Sequence, residues 1–163
     1  MQQHSPAMIP VSFEFFPPRS ETAVANLVTT RRKLAALAPE FFSVTFGAGG
    51  STRELTLETV LELRQDTGID SAPHISCVGF SVADIVKTLQ QYREQGITRV
   101  VALRGDLPSG TTGGGELRYA NELVELIRRE FGDSFHIEVA AYPEVHPQAP
   151  GANADLDNFR RKV

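Results

Sequence analysis

The sequence contains a single cysteine, Cys77, among 163 residues. No intramolecular disulfide can form, and no cysteine-based metal cluster can be built. One thiol fits a reducing cytosol, so a cytoplasmic location is expected. Long apolar runs are also missing. Nothing approaches the roughly 18 residues of a membrane span, and the opening MQQHSPAMIP lacks the apolar centre of a secretory signal. Basic residues are outnumbered by acidic ones, 16 against 20, which gives a formal net charge of -4 at pH 7. No basic run is long enough to track a nucleic-acid backbone. What is left is the composition of an ordinary globular protein, 41% hydrophobic and 22% charged, in a chain long enough for one domain with its own core.

What the sequence does have is a repeat. Apolar, β-rich runs fall at 11–16, 41–46, 72–78, 99–104 and 136–142, and helical patterns lie between them at 22–37, 52–66, 82–95 and 118–131. A fifth helix is expected from Ala152 to the chain end. Ser51 with Glu54 reads as a capping box, Ser81 with Asp84 as a variant of one, and Gly68, Gly96 and Gly132 fall where helices terminate. Five β-α units in a row imply parallel strands with right-handed crossovers.

Two architectures fit, an open doubly wound sheet or the first part of a (β/α)8 barrel. Strands covered on both faces are almost continuously apolar, whereas these alternate. Val11, Phe13 and Phe15 oppose Ser12, Glu14 and Phe16; Phe42, Val44 and Phe46 oppose Ser43 and Thr45; Ile75 and Cys77 oppose His74 and Ser76. In the fourth strand Val101 and Leu103 are read against Arg104 and Asp106, and in the fifth Ile137, Val139 and Ala141 against Glu138 and Tyr142. One apolar and one polar face throughout suits a TIM barrel, with the polar face lining its lumen. Residues 1–163 then form the N-terminal part, about five-eighths, of a single barrel domain, with residues 1–10 flexible and both edge strands open to association.

Several stretches carry candidate chemistry. Glu14, set among phenylalanines in VSFEFFPPR, is a carboxylate in an apolar strand. GAGGST (47–52) reads as a tight turn into a helix or as a phosphate-cradling loop, and LPSGTTGGGE (107–116) as a lid or a linker. In ALRGD, Arg104 and Asp106 share parity, which fits a structural ion pair or a site at the end of a barrel strand. His74 in APHIS points inward, either as a hydrogen-bonded core residue or as part of a site. AAYPEVHP offers Tyr142, Glu144 and His146 on a rigid segment, with no third ligand that would make a metal site. Asp155, Asn158, Arg161 and Lys162 share one broad helix face, which suits a diphosphate or simply solvent.

Taken together and in order, VSFEFFPPR, FFSVTFGAGG, APHISC, VALRGDLP, AAYPEVHP and ADLDNFRRKV resemble the methylenetetrahydrofolate reductase family along nearly the whole chain. The resemblance implies a flavin barrel enzyme that carries FAD, takes electrons from NAD(P)H and reduces 5,10-methylenetetrahydrofolate to 5-methyltetrahydrofolate. It implies that Glu14 is the general acid, kept protonated by burial beside aromatic rings. Asp106 would contact both folate and flavin and stabilise positive charge developing on the folate. Thr45, His74, Arg104, Gly105, Tyr142 and His146 would hold the flavin, and Tyr119 and Ala120 would line its site. Asp155, Asn158, Arg161 and Lys162 would take the ribityl-diphosphate and adenosine portion. A homo-oligomer is expected. The alternative is a catalytically inert partial barrel that serves as an assembly or binding module.

Overall fold

The prolines at 17 and 18 cannot donate to a strand ladder. They follow the first strand, β1 (Ser12–Phe15), after a single residue in the computed structural model of the chain, which describes residues 9–47, 52–106, 115–147 and 149–163. The remaining elements are α1 (Glu21–Ala35), β2 (Phe41–Val44), α2 (Arg53–Thr67), β3 (Ser71–Ser76), α3 (Val82–Glu94), β4 (Arg99–Leu103), α4 (Ala120–Phe131), β5 (His136–Val139) and α5 (Ala152–Arg160). Local chemistry sets several of these boundaries. Ser20 caps α1, its hydroxyl accepting from the Ala23 amide. Ser81 accepts from the Asp84 amide and donates to the Asp84 carboxylate, the reciprocal pairing expected. Gly68 closes α2 in the left-handed conformation at φ +70°.

The second helix begins differently from expectation. Ser51 lies outside the described residues, and the cap of α2 is Thr52. The Thr52 hydroxyl makes no capping bond; it accepts instead from the Gly47 amide at 2.7 Å. Most of the glycine-rich stretches at 47–52 and 107–116 also fall outside the described residues, as does the segment 1–8.

The five strands form one parallel sheet in sequential order, β1-β2-β3-β4-β5. A doubly wound sheet reverses its order at a switch point; among the described residues the order does not reverse. Register puts Phe13 and Phe15, Phe42 and Val44, Ile75, Val100 and Ala102, and Ile137 and Val139 on one face. Against that face pack Leu27 of α1, Val60 and Leu63 of α2, Leu89 and Tyr92 of α3, and Leu123 and Ile127 of α4, in a single apolar cluster. By contrast, α5 has no buried residue. β1 and β5 are each paired on one side only among the described residues, so both edges of the sheet are open. Among the described residues no helix is long and apolar enough to cross a membrane.

The other face corrects the reading of β4. Its core residues are Val100 and Ala102, both fully buried, while Val101 and Leu103 are only half-buried. Pairing of His74 with Val101 and of Ser76 with Leu103 turns those two side chains to the inner face. That face therefore carries apolar Val101 and Leu103 on β4, besides Phe41 on β2 and Ala72 on β3, among its polar residues. Arg104 and Asp106 lie beyond the end of β4. The strand stops at Leu103, and Gly105 at φ +81° breaks the alternation between them.

At the N-terminal ends of the strands, Arg99 organises a cluster. Its guanidinium bonds Glu40, Asp70 and Glu138 and lies 4.6 Å from the centre of the Phe41 ring. His136 adds a further contact to Glu138 at 3.1 Å. Burial would lower the Arg99 pKa, but bonds to Glu138, Asp70 and Glu40 outweigh it and raise the value.

Candidate active site

The C-terminal ends of the strands hold two groups of polar side chains. The first lies on the inner face. Glu14 on β1 pairs in register with Ser43 on β2, and Ser43 with Ala72 on β3. The Nε2 of His74, one inward position further along β3, stands 3.4 Å from Glu14 Oε2. The imidazole is buried, at 6% exposure, and burial pushes its pKa down to about 4. It is therefore neutral near pH 7. The Glu14 side chain is 52% exposed, which overturns the expectation that it is buried among aromatic rings. Phe13 and Phe15 point to the helix face, and Phe16 is itself 73% exposed. Strand alternation puts the rings that flank Glu14 in sequence on the opposite side of the sheet.

The second group surrounds a cleft of about 620 Å³ between the ends of β4 and β5 and the helices α4 and α5. Arg104, Gly105, Asp106, Ala120, Tyr142, His146, Asp155 and Lys162 all line it. Each wall is fixed locally. The turn after β4 is clamped to the end of β3: Val78 and Cys77 donate their amides to the Arg104 carbonyl, and the Cys77 thiol points to the carbonyls of Arg104 and Tyr119. Burial pushes that thiol's pKa up to about 11, so Cys77 is an inert structural donor. At Gly105 a Cβ would stand 2.7 Å from the Ser76 Cβ, too close for any other residue without movement.

On the opposite wall the Tyr142 and His146 rings meet edge to face, with centres 4.6 Å apart. Asp155 of α5 accepts from the His146 amide at 2.9 Å and holds the 143–147 segment. Lys162 donates to the Ala140 carbonyl at 2.7 Å, which ties the end of α5 to the end of β5. Burial lowers the Lys162 pKa, and Asp155 opposes that shift.

The remaining expected residues lie elsewhere. Thr45 lines a separate groove with Phe15, Phe16, Phe46 and Thr52. Tyr119 is exposed just before α4, next to Ala120. Asn158 and Arg161 are exposed and do not line the cleft. The helix face that does so carries Ala152, Asp155, Leu156, Phe159 and Lys162. The i, i+3, i+4, i+7 spacing of Ala152, Asp155, Leu156 and Phe159, continued by Lys162 at i+10, was the available signal, and it separates them from Asn158 and Arg161. Among the described residues no group of three or more His, Cys, Asp and Glu could hold a metal ion.

Comparison with known proteins bears on this arrangement. The family model for methylenetetrahydrofolate reductase matches residues 1–163. A 5,10-methylenetetrahydrofolate reductase of Pectobacterium carotovorum subsp. carotovorum is 45% identical over 155 residues, which cover 95% of this chain and 51% of that protein. The protein of the same name from Escherichia coli (strain K12) is 44% identical over the same shares. Methylenetetrahydrofolate reductase (NADH) 1 of Arabidopsis thaliana is 41% identical over 165 residues, 93% of this chain and 28% of its own length. The chain thus spans about half the length of the bacterial relatives it matches.

Proposed function

The chain belongs to the methylenetetrahydrofolate reductase family, and from that premise we propose that it is the N-terminal part of a cytoplasmic, flavin-dependent (β/α)8 barrel that reduces 5,10-methylenetetrahydrofolate to 5-methyltetrahydrofolate with electrons from NAD(P)H. The observation that carries this reading is the cleft at the strand C-terminal ends, lined by Arg104, Asp106, Tyr142, His146, Asp155 and Lys162 together. The sequential parallel sheet, with α1 to α4 on one face, supports the barrel.

The residues present suit FAD. Arg104 and Lys162 bring two cations to one cleft, as a diphosphate requires, and Tyr142 offers an aromatic wall. FAD, when bound, supplies the two-electron carrier between nicotinamide and folate. The chain's own residues do the rest. Glu14 gives its proton to N10 of the folate's bridging ring as the bond from that nitrogen to the methylene carbon breaks. This leaves a 5-iminium cation on the folate and a carboxylate on Glu14. Asp106, exposed on the rim, places a negative charge where the folate becomes positive.

The test separates the two half-reactions. Protein reconstituted with FAD is expected to be yellow, and in Glu14→Gln flavin reduction by NAD(P)H is expected to survive while folate reduction stops. Equal loss of both would remove the general-acid role. A second reading, an inert assembly module, draws on the two open sheet edges. Light scattering with intact-mass measurement decides it: a stable homo-oligomer that takes up no FAD favours the module, and a homo-oligomer that does take it up favours the enzyme.

A further inference from the structure

His74 Nε2 is fully buried and makes no hydrogen bond. Buried polar atoms are nearly always satisfied, so an orphan on the inner face of a candidate site calls for a partner. Its carboxyl neighbour among the described residues is Glu14, whose Oε2 lies at 3.4 Å. Apo contacts at such sites are often long and tighten on ligand binding. The other charged groups of the inner face are engaged elsewhere. Arg99, Glu40, Asp70 and Glu138 form their own cluster at the far end of the strands. Arg104 and Asp106 follow β4 and line the neighbouring cleft. Among the described residues no Lys or Arg forms an ion pair with Glu14.

We propose that His74 is a positioning residue for Glu14: its Nε2 lone pair accepts a hydrogen bond from the protonated Glu14 carboxyl and keeps the reactive proton on the inner face until the folate takes it. The inference rests on the general-acid reading of Glu14 given above. A neutral imidazole carries one N–H, so this geometry requires the hydrogen on Nδ1. Burial supports it, because it disfavours the imidazolium. A hydrogen bond made to the neutral acid disfavours its ionisation, which is what a proton donor at neutral pH needs. Ser43, small and directly between the two strands, leaves the path open.

The chain by itself tests the geometry. Nitrogen NMR of the His74 ring, assigned by loss of its signal in His74→Phe, is expected to show an unprotonated Nε2 at pH 7. A hydrogen on Nε2 would overturn the proposal. In FAD-loaded protein, His74→Phe is expected to lower the alkaline limit of folate reduction by about one pH unit and to slow folate reduction at neutral pH about tenfold more than it slows flavin reduction. His74→Gln, whose amide oxygen can accept the same bond, is expected to restore the limit. If His74→Phe instead slows both half-reactions equally at every pH, His74 serves the cofactor and the proposal fails. Failure of Glu14→Gln to separate the half-reactions would sink the general-acid reading itself, a distinguishable result.

Discussion

The two ends of this sheet treat buried charge in opposite ways. At the N-terminal ends, Arg99 meets three carboxylates and an aromatic ring, and its own side chain is only 15% exposed. At the C-terminal ends, His74 is buried with an orphan nitrogen, Glu14 stands half in solvent, and a lined cleft opens beside them. The Arg99 guanidinium is satisfied and the His74 nitrogen is not. Unsatisfied polar groups cost stability, so each calls for an explanation; among the described residues the Tyr92 hydroxyl, in the helix-packed core, is the other such atom. In a barrel wall the N-terminal end serves stability and the C-terminal end serves chemistry, and the contrast between these clusters has that form.

That contrast can be broken by measurement. The largest effect is expected at Arg99. Arg99→Ala leaves three carboxylates facing one another and should cost about 3 kcal/mol in urea unfolding. A loss below about 1 kcal/mol would mean that the cluster is ornamental, as surface ion pairs commonly are.

Nearly as large is the pH dependence contributed by His74. Its folded pKa, about 4, lies below the unfolded value of 6.5. The unfolded chain therefore binds this proton first as pH falls. The contribution is fully present above pH 6.5 and is lost progressively down to about pH 4, by about 3 kcal/mol in total. The difference between wild type and His74→Phe, measured from pH 7 to pH 4, isolates it from the carboxylates. A difference that stays flat over this range would show that the imidazole is not buried as described.

Gly105→Ala comes next, at about 1–2 kcal/mol in thermal unfolding, because it combines a left-handed φ with a Cβ pressed on Ser76. It should also weaken FAD binding, since Gly105 sets the turn between Arg104 and Asp106. The smallest effect is expected at Glu14. Glu14→Gln should change stability by less than about 0.5 kcal/mol, because the side chain is half exposed. If it destabilised the fold as much as Arg99→Ala, the distinction between the two ends would collapse.

Much of the fold was legible in the sequence. Strand and helix boundaries fall within about three residues of their expected places, because capping serines, terminating glycines and the double proline act locally. The exception was β4. Its sequence, Arg-Val-Val-Ala-Leu, is apolar at four consecutive positions, so alternation gave no unique assignment of faces. Pairing with β3 settled which of Val100 and Val101 is core.

The candidate site divides along the same line. Eight of the expected residues line one cleft, and Glu14 and His74 meet on the inner face. Asn158 and Arg161 do not join them, because a helix face is chosen by what packs against it. The sequence by itself determined the alternation of strands and helices, the direction in which Glu14 points and the motifs that mark the family, since these depend on backbone periodicity and on neighbours along the chain. Tertiary structure alone decided that Glu14 is exposed while His74 is buried, that these two residues from separate strands come within 3.4 Å, and that Arg99 gathers three acids from three segments. Burial and charge pairing are set by groups distant in sequence, and no local pattern encodes which of them will meet.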